Sequence, residues 1–367
     1  MKKLFAIFVA LVASLSMVST AQAVNEEVTG TTEITSISGP LYQALPKPVN
    51  IEIHAEVVPP PANVTVDPMK NTKITFPEGV TFNPNEKVTP TCPDSKIGPA
   101  TNLSLGPKAL IDLCPKSVIG TGISPLYLGR FQAAPLNDPV LIIFNAGKDG
   151  QGRAKIKIYG YSKQTTVGVL MYSTLKGRVL DTAIPVLSSD SAVKFYTLQI
   201  PGPVLDRPDL NIKIKGLDKN YARATCPASG VWKTNSVFEL GQRDVSTGQP
   251  TSPTVTVDSP ETTQDCSGLK GSAKLKGSVK GPSAVKKGAK GTFKVTIKNT
   301  GTGMANAVKV TATGGGKANA GNVTPGTSKT VTVKTKVNGR KGGKTKITFT
   351  IKGKGVSAKA VKTVRVK

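Results

Sequence analysis

Short runs in which apolar and polar residues alternate recur along most of the chain, and they constrain the fold more than any other feature. In IEIHAEV (51–57), Ile51, Ile53, Ala55 and Val57 alternate with Glu52, His54 and Glu56. KITFPEGVTF, AKIKIYGY, AVKFYTLQI and NIKIKG repeat the rhythm. Successive side chains of a strand point to opposite faces, so a period of two describes strands with one face buried. Pro77-Glu78-Gly79, Asp149-Gly150 and Pro201-Gly202-Pro203 punctuate the runs with turn chemistry. No helical periodicity extends beyond two turns, and KALIDLC (108–114) is the best short helix candidate. The expectation is an all-β protein.

The N-terminus has the pattern of a secretory signal. Lys2 and Lys3 precede an apolar run from Leu4 to Met17, and Ala21-Gln22-Ala23 follows as a small-residue cleavage site. The run is too short to span a bilayer. Residues 1–23 are thus expected to be removed, leaving a mature chain from Val24 with no membrane span. All four cysteines, Cys92, Cys114, Cys226 and Cys266, lie beyond that site. In an oxidising compartment they predict two disulfides, and among three connectivities we favour the sequence-local one, Cys92–Cys114 and Cys226–Cys266. No CxxC pair exists and His54 is the only histidine, so neither a metal nor a cofactor is expected.

Charge divides the chain. The protein carries 49 Lys and Arg against 22 Asp and Glu, yet the stretch from Leu269 to Lys367 holds 24 of the basic residues and no acidic one. Such a jump at the Gly/Ser-rich CSGLKGSAK marks a boundary. Composition alone would allow a disordered basic arm, but the pattern argues for a fold. Phe293, Val295 and Ile297 alternate with Lys294, Thr296 and Lys298. The rhythm returns at Val308 and Val310, at Val331 and Val333, at Ile347, Phe349 and Ile351, and at Val364 and Val366. Five such runs separated by Gly-rich turns predict a small antiparallel sandwich, modest in stability because Phe293 and Phe349 are its only large anchors. The lysines then project from the solvent faces. Lys294, Lys298, Lys309, Lys334, Lys336, Lys346, Lys352 and Arg365 are the candidate anion-binding residues.

Two resemblances carry these readings further. KKGAKGTFKVTIKNTGTGMANAVKV and GNVTPGTSKTVTVKTKV, within residues 283–367, resemble the CARDB-type immunoglobulin-like domains of bacterial surface proteins. The matching features are a strand ending in Asn299-Thr300-Gly301, then Ala305 and Val308, and a Pro325-Gly326 turn. The resemblance implies a spacer, adhesion or accessory module. This copy departs from it in having no acidic residue for calcium. FPEGVTFNPN, TCPDSKIG, LCPKSVIGTG, LYLGR and TCPASGVW, spread over residues 65–266, resemble uncharacterised secreted actinobacterial proteins with paired Cys-Pro motifs. That likeness implies an extracellular β domain and no known activity.

Catalytic motifs are weak. Ser173-Thr174-Leu175-Lys176 has the SxxK spacing of penicillin-recognising enzymes, but the spacing recurs at Ser191, Ser267 and Ser283, and MYSTLKGRVL reads as strand and turn. Ile119-Gly120-Thr121-Gly122 lacks the third glycine of a dinucleotide loop and reads as a turn. NAGKDGQGR (145–153) has one carboxylate and reads as a hairpin tip. Asp94, Asp112, Asp138, Asp206, Asp209, Asp218 and Glu239 supply carboxylates for a glycosidase pair, though sugar clefts want aromatics and the chain is 5% aromatic. Its one tryptophan, Trp232, is expected in the core beside Cys226.

The resulting expectation comprises a signal peptide (1–23), a large β-sandwich domain with two disulfides (24–266), built as one unit or two smaller sandwiches, a linker (267–282) and a small basic Ig-like β-sandwich (283–367). The expected function is that of a secreted, non-catalytic protein of the cell envelope or extracellular space. Its basic domain would contact anionic cell-wall or surface polymers, without specific nucleic-acid binding. Residues 24–266 would present a surface to a glycan or protein. The alternative is a carbohydrate-binding or carbohydrate-active protein working through residues 24–266.

Overall fold

A computed structural model describes residues 26–58, 66–82, 85–128, 134–187, 191–243 and 250–367; the expected signal peptide and its cleavage site lie outside them. The protein is all-β, with Pro107–Leu113 as the one α-helix among the described residues. Eleven long strands build the larger part: β1 (Glu27–Ser36), β2 (Lys47–Val58), β3 (Met69–Thr75), β4 (Val118–Ile123), β5 (Val140–Lys148), β6 (Ala154–Ser162), β7 (Val167–Lys176), β8 (Val179–Ala183), β9 (Phe195–Ile200), β10 (Val231–Arg243) and β11 (Pro250–Asp265). With two short strands, Thr81–Phe82 and Ala222–Ala224, they form one thirteen-stranded sheet in the order β11-β10-β3-β8-β7-β6-β5-β4-β9-β2-β1. The long strands of the larger part therefore belong to one continuous sheet and not to two sub-sandwiches, and three small sheets of two or three short strands accompany it among the described residues.

That sheet folds over until its outermost strands, β1 and β11, face each other. Among the described residues no backbone ladder joins them; side chains do. The Gly30 amide donates to Ser259 Oγ at 2.8 Å. Gln264 accepts from the Ile34 amide at 2.8 Å and donates to the Ile34 carbonyl at 2.9 Å. Gly30 also lets β1 pass close to β10, because a Cβ there would stand 2.8 Å from Ser236. The β1 edge thus has the backbone groups of Gly30 and Ile34 satisfied by β11 side chains, which cover it against pairing with another chain.

The rolled sheet encloses a core of inward-facing residues such as Ile51, Ile53, Ile143, Ile156, Ile158 and Phe238. A second layer covers the outer face of β5 and β6. It contains the helix, the Cys92–Cys114 disulfide and the strand Ile212–Ile214, packed on Val140, Ile142, Phe144, Tyr159 and Tyr161. Burial on both faces explains why VLIIFNAG in β5 is apolar without alternation. The second disulfide joins Cys226 and Cys266, so both cysteines pair locally in sequence as expected.

One residue of the second layer runs against the usual habits of its type. Lys157, on the outer face of β6, is 1% exposed. Its ammonium donates to the carbonyls of Cys92 at 2.9 Å and Ile97 at 2.6 Å, and lies 2.6 Å from the Asp94 carboxylate. A buried ammonium is tolerated only when so paired. Lys157 thus ties the Cys92–Ile97 loop down onto the sheet.

The glycine-containing run 119–122, expected as a turn, is instead the middle of β4, between β5 and β9. Glycine serves packing here. A Cβ at Gly120 or Gly122 would meet the carbonyl oxygens of Gln199 and Thr197 at 2.3 and 2.1 Å.

The remaining strands build the basic sandwich: β12 (Leu275–Lys280), β13 (Ala284–Val285), β14 (Lys290–Asn299), β15 (Ala305–Ala312), β16 (Lys317–Val323), β17 (Ser328–Lys336), β18 (Lys344–Gly353) and β19 (Val356–Val366). One sheet has the order β12-β14-β17 and the other β13-β19-β18-β15-β16. The chain leaves the first sheet after β12 and joins the second through β13, parallel to β19. The first two strands of this unit thus belong to different sheets of the sandwich. Residues 267–282, expected as linker, include Gly268–Leu269, paired with Leu41–Tyr42, and all of β12. Leu275 is buried in the sandwich core, so this unit starts there and not at Ser283. Phe293 and Phe349 meet across the two sheets, ring centroids 5.3 Å apart.

Candidate functional site

The sandwich presents its lysines in register. On the outer face of the three-stranded sheet, β12 contributes Lys276 and Lys280, β14 contributes Lys290, Lys294 and Lys298, and β17 contributes Lys334 and Lys336, all exposed. Three cross-strand pairs are lysine opposite lysine: Lys276 with Lys298, Lys280 with Lys294, and Lys290 with Lys336. The other outward positions are Ser278, Thr292, Thr296, Ser328, Thr330 and Thr332, and Thr296 and Thr330 share a hydrogen bond of 2.9 Å. Strands lie about 4.8 Å apart, with outward residues near 7 Å apart along each, so the seven ammoniums form a compact grid.

All eight residues singled out from the sequence are exposed, but they do not form one surface. Lys294, Lys298, Lys334 and Lys336 belong to the grid. Lys309, Lys346, Lys352 and Arg365 lie on the opposite, five-stranded face, where Lys309 opposes Lys352 and Arg365 opposes Lys344. The sequence pattern does not single out Lys276, Lys280 and Lys290, because β12 falls in the expected linker and Lys290 sits at the very start of its strand. Only the register reveals the opposed pairs.

The asparagine of the Asn-Thr-Gly run has a local task. Asn299 is fully buried; Nδ2 donates to the carbonyls of Gly303 and Val323, and Oδ1 accepts from the amides of Gly301 and Lys274. It fixes the turn after β14 and the entry to β12, and so the shape of one end of the lysine face.

In the larger unit most of the candidate catalytic groups are individually engaged. Asp94 pairs with Lys157, whose hydrogen bond holds the carboxyl below its ordinary value. Asp112 pairs with Lys108, Asp206 with Lys213, and Asp209 with Arg207. Asp138 accepts from Ser162 Oγ and the Gln164 amide, and Asp218 from Thr89 and the Asn220 amide. Glu239 stands mid-strand between Asn71 and Thr256. Ser173 is buried in β7 and hydrogen-bonded to Thr182 at 2.8 Å. His54 lies on β2, with Nδ1 3.0 Å from Thr197 Oγ1 and Nε2 4.0 Å from Glu56. Among the described residues no three His, Cys, Asp or Glu gather as a metal site. Trp232 is 3% exposed, its Nε1 donating to the Thr225 carbonyl, so it offers no face to a sugar.

An apolar pocket of about 280 Å³ opens at one end of the rolled sheet. Leu141, Gly160, Val169, Met171, Ile184 and Val193 are among its walls. Among the described residues no helix is long and apolar enough to cross a membrane. No protein-family model matches the chain, and no curated protein matches it.

Proposed function

We propose that this is a secreted, non-catalytic protein of the bacterial envelope or extracellular space, whose basic C-terminal sandwich holds it to anionic surface polymers. Two disulfides support an oxidising compartment. The observation that carries the proposal is the grid on the three-stranded face: seven exposed lysines, three pairs directly opposed, and no carboxylate from Leu269 to Lys367. Like charges directly opposite on a sheet destabilise it by a few tenths of a kcal/mol to about 1 kcal/mol per pair. A polyanion laid across the face removes that repulsion and gains counterion release, whereas charge needed only for solubility has no reason to be paired in register. Hydroxyls between the lysines add hydrogen-bond donors for phosphate oxygens. The contact is one of charge density and carries no sequence or sugar specificity. The CARDB-type resemblance supports an accessory role of this kind.

The test is binding of the full chain to polyglycerol phosphate at low salt, with two quadruple variants. Replacing Lys276, Lys280, Lys294 and Lys298 by Gln is expected to weaken binding at least tenfold. Replacing Lys344, Lys346, Lys352 and Arg365 by Gln is expected to weaken it less. Equal loss from both variants would refute the assignment to the three-stranded face, and no binding by the wild-type chain would refute the proposal itself.

A further inference from the structure

We infer that the pocket at the end of the rolled sheet binds a single alkyl chain. Its origin is visible in β6. The inward residues of that strand run Ile156, Ile158, Gly160 and Ser162, so the aliphatic row stops at Gly160. Opposite Gly160 stand Leu141 on β5 and Val169 on β7. With no side chain at Gly160, Leu141 and Met171 lean over its backbone, 3.2 and 3.8 Å from where a Cβ would stand, and the pocket opens beyond them among the described residues. Along β7 the inward residues Met171 and Val169 are only half-buried, and Val167 is 40% exposed. Three further large apolar residues of the pocket wall, Leu128, Val186 and Leu187, are also exposed. Aliphatic side chains left uncovered together on a monomer's surface mark a binding site, and the mouth of a rolled sheet is a common place for one.

Chemistry and volume select the occupant. Among the described residues no charged side chain lines the pocket, and of its hydroxyls Ser162 donates to Asp138 and Ser124 lies 3.4 Å from the Phe195 carbonyl. The ligand portion inside is therefore uncharged and apolar. Five of its wall residues, Ser124, Leu141, Met171, Ile184 and Val193, also bound a second, separate void of about 40 Å³ that lies against Ile53, Ile74 and Leu198. An apolar cavity of about 150 Å³ holds one benzene, so 280 Å³ holds about eleven carbon-sized atoms. The chain belongs to a free amphiphile or to a lipid; the pocket reads the methylenes, and the polar end stays in water. This inference is independent of the lysine face.

The experiment is calorimetric titration of the full chain with linear primary alcohols from hexanol to tetradecanol, below their aggregation limits. Each buried methylene is worth about 0.8 kcal/mol, so affinity is expected to rise by up to about fourfold per carbon and to level off near ten to twelve carbons. Dodecanoate is expected to bind within a few-fold of dodecanol and independently of salt. Gly160→Leu and Val169→Phe each fill the pocket and are expected to lower affinity at least tenfold. Val169 is half-buried, so its variant keeps the test open even where Gly160→Leu fails to fold. A second arm with phosphatidylglycerol vesicles separates the sources: binding abolished by Val169→Phe assigns a lipid chain, and alcohol binding without such vesicle binding assigns a free amphiphile. The inference is overturned if the folded variants bind dodecanol like wild type, if affinity climbs through tetradecanol without levelling, or if only dodecanoate binds and salt removes it.

Discussion

Replacing Lys157 by Met separates two effects that act in opposite directions. The substitution keeps most of the aliphatic stem and removes a buried ammonium, which by itself is favourable because burying a charge is costly. It also strips a donor from the carbonyls of Cys92 and Ile97, both in fully buried residues. A buried acceptor left unmade costs about 1–3 kcal/mol. The Asp94 side chain is 59% exposed, so its carboxylate rehydrates and its share is worth little, within about 1 kcal/mol. The carbonyls decide the sign. Lys157→Met is therefore expected to destabilise the larger unit by about 2–5 kcal/mol. For a unit of this size that lowers the melting temperature by roughly 5–15 °C. Asp94→Asn, which leaves both carbonyl contacts in place, is expected to cost no more than about 1 kcal/mol. Thermal melts of both variants by circular dichroism check this. A Lys157→Met protein melting within 2 °C of wild type, or an Asp94→Asn protein melting as low as Lys157→Met, would refute the reasoning.

Three further outcomes follow from the same structure. The hydrogen bond from Lys157 lowers the Asp94 carboxyl below 3.8 and that from Arg207 does the same for Asp209, so their stabilisation is complete above pH 3.8 and lost as pH falls through the depressed values; acid melts of wild type should weaken there, and Asp94→Asn should weaken less. Reducing the disulfides, whose cysteines are 22 and 40 residues apart, should cost the larger unit about 3–4 kcal/mol per bond in the loop-entropy model, seen as a lower melting transition with the sandwich transition unmoved. Phe349→Ala should cost the sandwich about 3–5 kcal/mol and leave the 26–269 transition in place, because Phe349 packs only in the smaller unit's core; a shift in both transitions would contradict separate cores.

What was legible in the sequence was the strand rhythm. Phe293, Val295 and Ile297 point inward and their lysine neighbours outward, as period two requires. Strands poor in β-branched residues escaped it: KANAGNV in β16 and LKGSVK in β12 carry too few apolar residues to show an alternation, yet each is paired along its length. Gly120 and Gly122 misled for a different reason. Glycine is the common turn residue, but it also lets backbone approach backbone, and only the neighbouring carbonyls distinguish the two. The opposed lysine pairs and the pocket depend on register and on which strands become neighbours, and neither is written locally. Lys157 looked like any outward lysine of AKIKIYGY, because the layer that buries it comes from residues 85–117 and 205–217.

The central claim, that charge in register on the three-stranded face grips a polyanion, is tested most directly by the salt dependence of binding. Duplex DNA is a convenient uniform polyanion, for which log K falls with log salt by about 0.9 per phosphate neutralised. Engagement of most of the seven lysines predicts a slope of about −4 to −6 for the full chain, falling in magnitude by about 3 when Lys276, Lys280, Lys294 and Lys298 become Gln. A slope near zero, or one that the four substitutions leave unchanged, would contradict the account.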